Sequence, residues 1–249
     1  MGNENFSNIR NEKQIIVLEG LIGSGKSTLL AKIKEYFTLT NKNIKVVIIP
    51  EPVKQWEEIG LLEEFYKDPK SKAYEAQTFI CVSRIESIKK AYENNKDADV
   101  FLLERSIYSD KYFFVELNIE EGNFTPVQKK MYDRWWGLWR LVLPFFPTKF
   151  VYLDPGIDEC MSRLKERKRK GENLIAREYQ EKLKLKHDIF FKEDDYILLE
   201  DPIFPGQKIK IPSVKISFSE DFRNDKILLK NIIDQIIDKI SFNISINTR

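Results

Sequence analysis

Eight consecutive residues, Gly20, Leu21, Ile22, Gly23, Ser24, Gly25, Lys26 and Ser27, fit the spacing GxxxxGK[ST]. Glycines at these positions let the backbone curl until its N–H groups converge on phosphate oxygens. A helix opening here, with Thr28 in its first turn, adds the partial positive charge of its N-terminus. Lys26 is then placed to meet the β- and γ-phosphates and the Ser27 hydroxyl to ligate Mg²⁺. Such a loop identifies a nucleoside triphosphate as ligand and leaves the reaction open.

Two carboxylates point to the acceptor side. Glu51 follows the apolar run 45–50 and Glu104 closes the run 99–104. Ligands of open α/β sheets gather where the strands end, so both acids belong near the phosphate loop. One can accept a hydroxyl proton and the other can hold Mg²⁺; spacing does not say which. Between Glu51 and Ser83 there is no arginine, although a phosphorylated acceptor would call for guanidinium clamps. The segment offers Trp56, Phe65, Tyr66 and Gln77 instead. Aromatic faces stack on a base, a phenol bonds a sugar hydroxyl and a carboxamide pairs with a base edge, which suits an uncharged acceptor.

The elements that must carry these residues alternate. Runs 14–19, 45–50, 99–104, 149–154 and 214–218 are compact, β-branched and nearly continuously apolar, as strands buried on both faces are. Helical patterns fill about 25–37, 70–94, 107–117, 125–142, 156–170 and 175–191, with an amphipathic helix at 225–240. Strand–helix alternation predicts right-handed crossovers and a doubly wound parallel sheet flanked by helices. The strands are spread over the whole length, so one domain spanning 1–249 is expected, with a flexible 1–12. Residues 193–213, with three prolines and a glycine in DPIFPGQKIKIP, read as a loop inserted before the last strand.

Together these motifs resemble the deoxyribonucleoside kinase family, on its deoxycytidine/deoxyguanosine kinase side. The resemblance rests on GLIGSGKST (20–28), EPVKQW (51–56), LLEEFYKDP (61–69), QTFICVSR (77–84), ERSIYSDKYFF (104–114), RLKERKRKGE (163–172) and SEDF (219–222). It implies a P-loop kinase that moves the γ-phosphoryl of ATP, with Mg²⁺, to the 5′-hydroxyl of a deoxynucleoside. It further implies that Glu51 and Arg105 hold that hydroxyl, with Trp56 beside the sugar and base. Tyr66 and Glu172 would bond the 3′-hydroxyl and Gln77 the base edge, while Arg84 and Asp110 would form a charged pair at the end of the base pocket. Glu104 matches a position associated with both the proton and the metal. The run 163–172 matches an arginine-rich lid, with Arg163 on the donor adenine and Arg167 and Arg169 on the phosphoryl. Glu220, Asp221 and Phe222 would border the adenine. The chain departs from the pattern at Lys72 and Ala76, where aromatics are usual, and at Ile80, which is bulkier than the small residue of deoxycytidine kinases and resembles the thymidine-accepting members, although those lack the Arg84–Asp110 pair. An ionised Arg84–Asp110 pair favours a cytosine or purine edge and crowds a thymine methyl. The resemblance also implies a homodimer packed through the helices at 70–94 and 125–142.

Charge and composition bound the other readings. The chain has 249 residues, 41 Lys+Arg and 39 Asp+Glu, a net charge of +2, which argues against a nucleic-acid platform. That total hides a local separation: 51–64 holds five acids against Lys54, and 163–170 holds six basic residues against Glu166. Two cysteines, Cys81 and Cys160, are too few for a disulfide framework and suit a reducing, cytoplasmic setting. No run approaches the roughly 18 apolar residues that span a bilayer, and 1–12 carries no targeting pattern. Cys81, Cys160 and the sole histidine, His187, are expected to be packing residues. A thymidine-preferring kinase remains an alternative, as does a P-loop switch or nucleic-acid motor.

Overall fold

The computed structural model describes residues 13–239 apart from 41–43, 145, 168, 170, 194, 202–205, 219–220 and 224. The expected flexible segment 1–12 and the adenine-side residue Glu220 lie outside the described residues.

Continuous apolar runs form the middle of the sheet. The strands β1 (Gln14–Gly20), β2 (Val46–Ile49), β3 (Val100–Glu104) and β4 (Lys149–Asp154) are joined by β6 (Lys208–Ser217) and β5 (Tyr196–Glu200) in the order β2-β3-β1-β4-β6-β5. All neighbours are parallel except β5 and β6. Both faces are covered, which is why β1 needs no polar alternation over Ile15–Leu18. Ile15 and Val17 face a core shared with Phe101, Phe150 and Tyr152. Ile16 and Leu18 face a second core with Leu29, Leu30 and Ile33 of α1 (Lys26–Thr40) and Ile232 and Ile236 of α10 (Lys226–Lys239). The chain leaves β1 for β2 on one side and reaches β4 on the other, so the order reverses around β1. Ligands of doubly wound sheets bind beyond the carboxyl ends at such a point.

Helices above the first face carry most of the acceptor-side residues. They are α2 (Val53–Glu58), α3 (Leu61–Lys67), α4 (Pro69–Asn94), α5 (Ile107–Ser109), α6 (Glu116–Glu120), α7 (Pro126–Val142), α8 (Ile157–Arg167) and α9 (Arg177–Phe190). Start signals are visible in the sequence. Asp68 accepts from Ser71 N at the head of α4, with Pro69 as first helical residue, and Thr125 and Gln128 form a capping box on α7. Among the described residues no helix is long and apolar enough to cross a membrane.

Three expectations about elements change. Residues 193–213 are not an inserted loop: they hold β5 and the first half of β6, paired antiparallel from Tyr196↔Pro212 to Glu200↔Lys208. Pro212 lies one residue before the pairing with β4, which begins at Ser213, while Ser213 N still donates to Asp195 O (2.8 Å). The single helix expected at 107–117 is three pieces, with a π-helical stretch at Asp110–Val115 between α5 and α6. The helix expected to run to 170 ends at Arg167, and a 3₁₀ turn at Glu172–Leu174 follows it.

Candidate active site

The phosphate loop leaves β1 at Gly20 and enters α1 at Lys26. Its curvature needs glycine. Gly25 has φ +96°, and a Cβ there would lie 3.0 Å from the Phe222 ring and from Arg163 Nη1. The Lys26 ammonium is buried and donates to the carbonyls of Gly20 (3.1 Å) and Leu21 (2.8 Å). Burial outweighs the neighbouring carboxylates and lowers its pKa to about 8. The Ser27 hydroxyl donates to Glu104 Oε1 at 2.7 Å. Of the other loop residues, Leu21 is buried in the core, Ile22 lines the acceptor cavity described below, and Thr28 is exposed.

Beside the loop lies a partly open cavity with about 540 Å³ of empty space, solvent at its mouth included. Glu51, Trp56, Tyr66, Gln77, Arg84, Arg105, Asp110 and Glu172 all line it, so the structure brings every expected acceptor residue into one place. Glu51 sits just past β2 and is held by two arginines. Arg105 Nη1 donates to both of its oxygens (3.2 and 3.1 Å), and Arg84 Nη2 donates to Oε1 (3.0 Å). Burial opposes ionisation of Glu51, yet Arg105, Arg84 and Lys26 together hold its pKa down to about 2. Arg84 also forks onto Asp110 through Nε and Nη2, both at 3.1 Å, and donates to the Glu104 carbonyl at 3.2 Å. Asp110 is fully buried, and burial raises its pKa despite Arg84.

Arg105 has φ +59°, the one positive φ outside glycine among the described residues. Such a backbone costs of order 1–3 kcal/mol and persists where its surroundings fix it. Here its N–H bonds Leu18 O (2.9 Å), its Nη2 bonds Gly20 O (2.7 Å), and its guanidinium lies 5.0 Å from the centre of the Phe114 ring. Trp56 is fixed by a bond from Nε1 to Ser83 Oγ (2.9 Å). Gln77 is buried with Oε1 unpartnered among the described residues, a free acceptor at the cavity wall.

Two of the lid arginines, Arg167 and Arg169, are engaged with carboxylates on the acceptor side. Arg167 donates to Glu172 through Nε (2.9 Å) and Nη2, and Arg169 reaches Glu172 Oε1 (3.3 Å) and Glu57 (3.0 Å). Arg169 therefore joins the basic run 163–170 to the acidic run 51–64. Arg163 is buried on the donor side. Its Nη1 bonds Ser24 O (3.0 Å), its Nη2 contacts Asp221 Oδ1 (3.3 Å), and its guanidinium lies over Phe222 at 5.5 Å.

Four further cavity residues are not singled out by the sequence: Val53, Leu62, Phe114 and Tyr179. Phe114 had a signal, since it stands one helical turn beyond Asp110. Val53 and Leu62 lie inside the motifs EPVKQW and LLEEFYKDP, whereas Tyr179 is an aromatic helix position without such a signal. His187, Cys81 and Cys160 are buried, and His187 stacks on Phe113 with ring centres 4.0 Å apart.

A phosphate loop beside a cavity lined by aromatic, amide and charged side chains, with a carboxylate clamped between guanidinium groups, defines a phosphotransferase acting on an alcohol. Comparison with known proteins takes this further. The deoxynucleoside kinase family matches residues 16–241, and the chain belongs to that family. It is 30% identical to deoxycytidine kinase 2 of Gallus gallus, covering 92% of this chain and 91% of that protein. It is also 30% identical to a probable deoxycytidine kinase of fowlpox virus (96% and 92% covered) and 28% identical to a mitochondrial deoxyguanosine kinase of Xenopus laevis (88% and 88%). The protein is an ATP-dependent deoxynucleoside kinase, and the reading as a switch or nucleic-acid motor is set aside.

The Gly25 contacts make a prediction. Gly25→Ala strains the loop and displaces the Arg163–Phe222 pair, so the KM for ATP should rise about tenfold, given a strain of about 1–3 kcal/mol. The KM for the nucleoside should change little; steady-state kinetics with each substrate varied in turn checks both.

Proposed function

We propose that the enzyme phosphorylates deoxycytidine or a purine deoxynucleoside at its 5′-hydroxyl. The observation that carries the base assignment is the buried Arg84–Asp110 pair at the cavity wall, alongside Gln77 with its free oxygen. A base edge with an exocyclic amine and a ring nitrogen can donate to Asp110 or Gln77 and accept in return. Thymine offers no amine and adds a methyl that the Arg84–Asp110 pair would crowd. Deoxycytidine and deoxyguanosine kinases stand among the relatives beside a thymidine kinase, so the base assignment rests on the site itself.

Glu51 receives the 5′-hydroxyl. Held as an anion by Arg105 and Arg84, it orients the hydroxyl and takes its proton as the phosphoryl moves. A weak base suffices, because a loose transition state needs little deprotonation before transfer. Glu104 is assigned to the metal, since its Oε1 accepts from the Ser27 hydroxyl at the phosphate loop. The Ser27 hydroxyl and Glu104 carboxylate are hard oxygen donors and fit Mg²⁺, which takes its other ligands from water and substrate phosphates. When bound, Mg²⁺ neutralises triphosphate charge. Lys26 meets the β- and γ-phosphates, Arg167 and Arg169 turn from Glu172 to the transferring phosphoryl, and Arg163 with Asp221 and Phe222 holds the adenine. Tyr66 and Glu172 bond the 3′-hydroxyl, and Trp56 flanks the sugar.

The enzyme acts as one domain and as a homodimer. Supporting the dimer, α7 exposes Val127, Met131, Trp135, Leu138 and Val142 at helical spacing, and α4 exposes Phe79. The buried, unpaired thiols of Cys81 and Cys160 suit a cytoplasmic setting.

Incubation with labelled ATP, Mg²⁺ and each of the four deoxynucleosides tests the assignment, and a preference for thymidine would overturn it. Glu51→Gln should leave ATP binding nearly intact while kcat falls at least about 100-fold, the usual scale for a general base. Near-normal turnover would remove Glu51 from the chemistry. Trp135→Glu should convert the dimer to a folded monomer, read by light scattering on a sizing column.

A further inference from the structure

A phosphate loop presents N–H groups to an anion only when its carbonyls are turned the other way. Each trans peptide links the two, because the C=O of one residue and the N–H of the next lie on opposite sides of one rigid plane. Side chains hold the carbonyls of this loop. Gly20 O and Leu21 O accept from the Lys26 ammonium (3.1 and 2.8 Å). Gly20 O also accepts from Arg105 Nη2 (2.7 Å), and Ser24 O from Arg163 Nη1 (3.0 Å). Those three side chains already belong to the site. The carbonyl of Ile22 is held by one that does not: Gln180, whose Nε2 donates to it at 2.6 Å.

Gln180 lies in the first turn of α9 and is completely buried. Its Oε1 has no hydrogen-bond partner among the described residues. Burying an unpaired acceptor is destabilising, so packing alone would favour an apolar side chain here. What the amide supplies is the bond to Ile22 O, which an apolar side chain cannot make. The gripped peptide leads into Gly23, with φ +87°, where a Cβ would lie 2.6 Å from the Cys160 carbonyl of α8. This part of the loop is thus pressed against α8 and pinned by α9.

We propose, on the reading of residues 20–27 as the triphosphate site, that Gln180 is a positioning residue for the phosphoryl donor. By holding the Ile22 carbonyl it fixes the peptide plane and keeps the Gly23 N–H turned to the opposite side, toward a phosphate oxygen. A donor aimed in advance needs no reorganisation when the nucleotide arrives. Gln180 acts through the backbone and does not touch the nucleotide itself.

The test is steady-state kinetics with each substrate varied in turn, together with thermal melting, for the wild type, Gln180→Met, Gln180→Glu and Lys26→Ala. Gln180→Met keeps the length of the side chain and removes the donor. Its KM for ATP should rise about tenfold, the scale of one misaimed charge-assisted hydrogen bond. Its kcat and its KM for the nucleoside should stay within about threefold, since the lost contact serves ground state and transition state alike. Its Tm should stay within about 3 °C, because relief of the unpaired Oε1 offsets the lost bond. Gln180→Glu puts an acceptor where the donor stood and should raise the KM for ATP further. A Gln180→Met enzyme with the wild-type KM for ATP overturns the proposal, as does one in which both KM values rise alike or only Tm falls. If that variant does not fold, a wild-type KM for ATP in Gln180→Glu overturns it instead. Wild-type turnover and KM for ATP in Lys26→Ala would bring down the reading of the loop and this proposal together. A crippled Lys26→Ala beside an unaffected Gln180→Met would bring down this proposal alone.

Discussion

The Glu51 carboxylate is almost out of water, and two guanidinium groups keep it charged there. An isolated carboxylate at such depth carries a desolvation penalty of several kcal/mol and would take up a proton instead. Arg105 and Arg84 reverse that outcome, and each demands a particular scaffold. Arg105 must leave the end of β3 in a left-handed conformation, held by carbonyls of β1. Arg84 must project from the middle of the long α4 and be anchored on its far side by Asp110. Phosphate loop, central strands and α4 are thereby locked around one charged group.

The parts of this scaffold differ in how plainly the sequence announces them. Strands β1, β3 and β4 are legible because burial on both faces demands unbroken apolar residues. Strand β5 is not. Its Leu198 is exposed while Ile197 and Leu199 are buried, and the nearby prolines mimic a loop. The short α2 and α3 carry too few turns for a periodic signal. The π-helical stretch at 110–115 adds a residue per turn that no local pattern encodes. At the site, the phosphate loop and the strand-end acids stand out because their spacing or position is constrained by chemistry. Gln180 reads as one more helix residue. Its setting depends on Ile22, 158 positions away in the chain.

The near-neutral total charge has a structural counterpart. Opposite local charges meet where the lid approaches α2 and the 3₁₀ turn: Arg169 with Glu57, and Arg167 and Arg169 with Glu172. Glu172 is buried, so its contacts with the arginines are screened little by solvent, whereas Glu57 is partly exposed and contributes less. The lid is thus tied to the wall of the acceptor cavity more firmly than to the surface beside it.

The two outermost strands are also short, four residues in β2 and five in β5. An open sheet always presents two rows of unpaired backbone groups, a template on which another chain can add strands and begin to aggregate. Short edges blunt that template. On β5, Arg140 of α7 also reaches over to the Glu200 carbonyl, at 3.4 Å, and so caps part of the row. A sheet terminated in this way can keep long apolar runs in its central strands while offering little edge to a neighbouring chain.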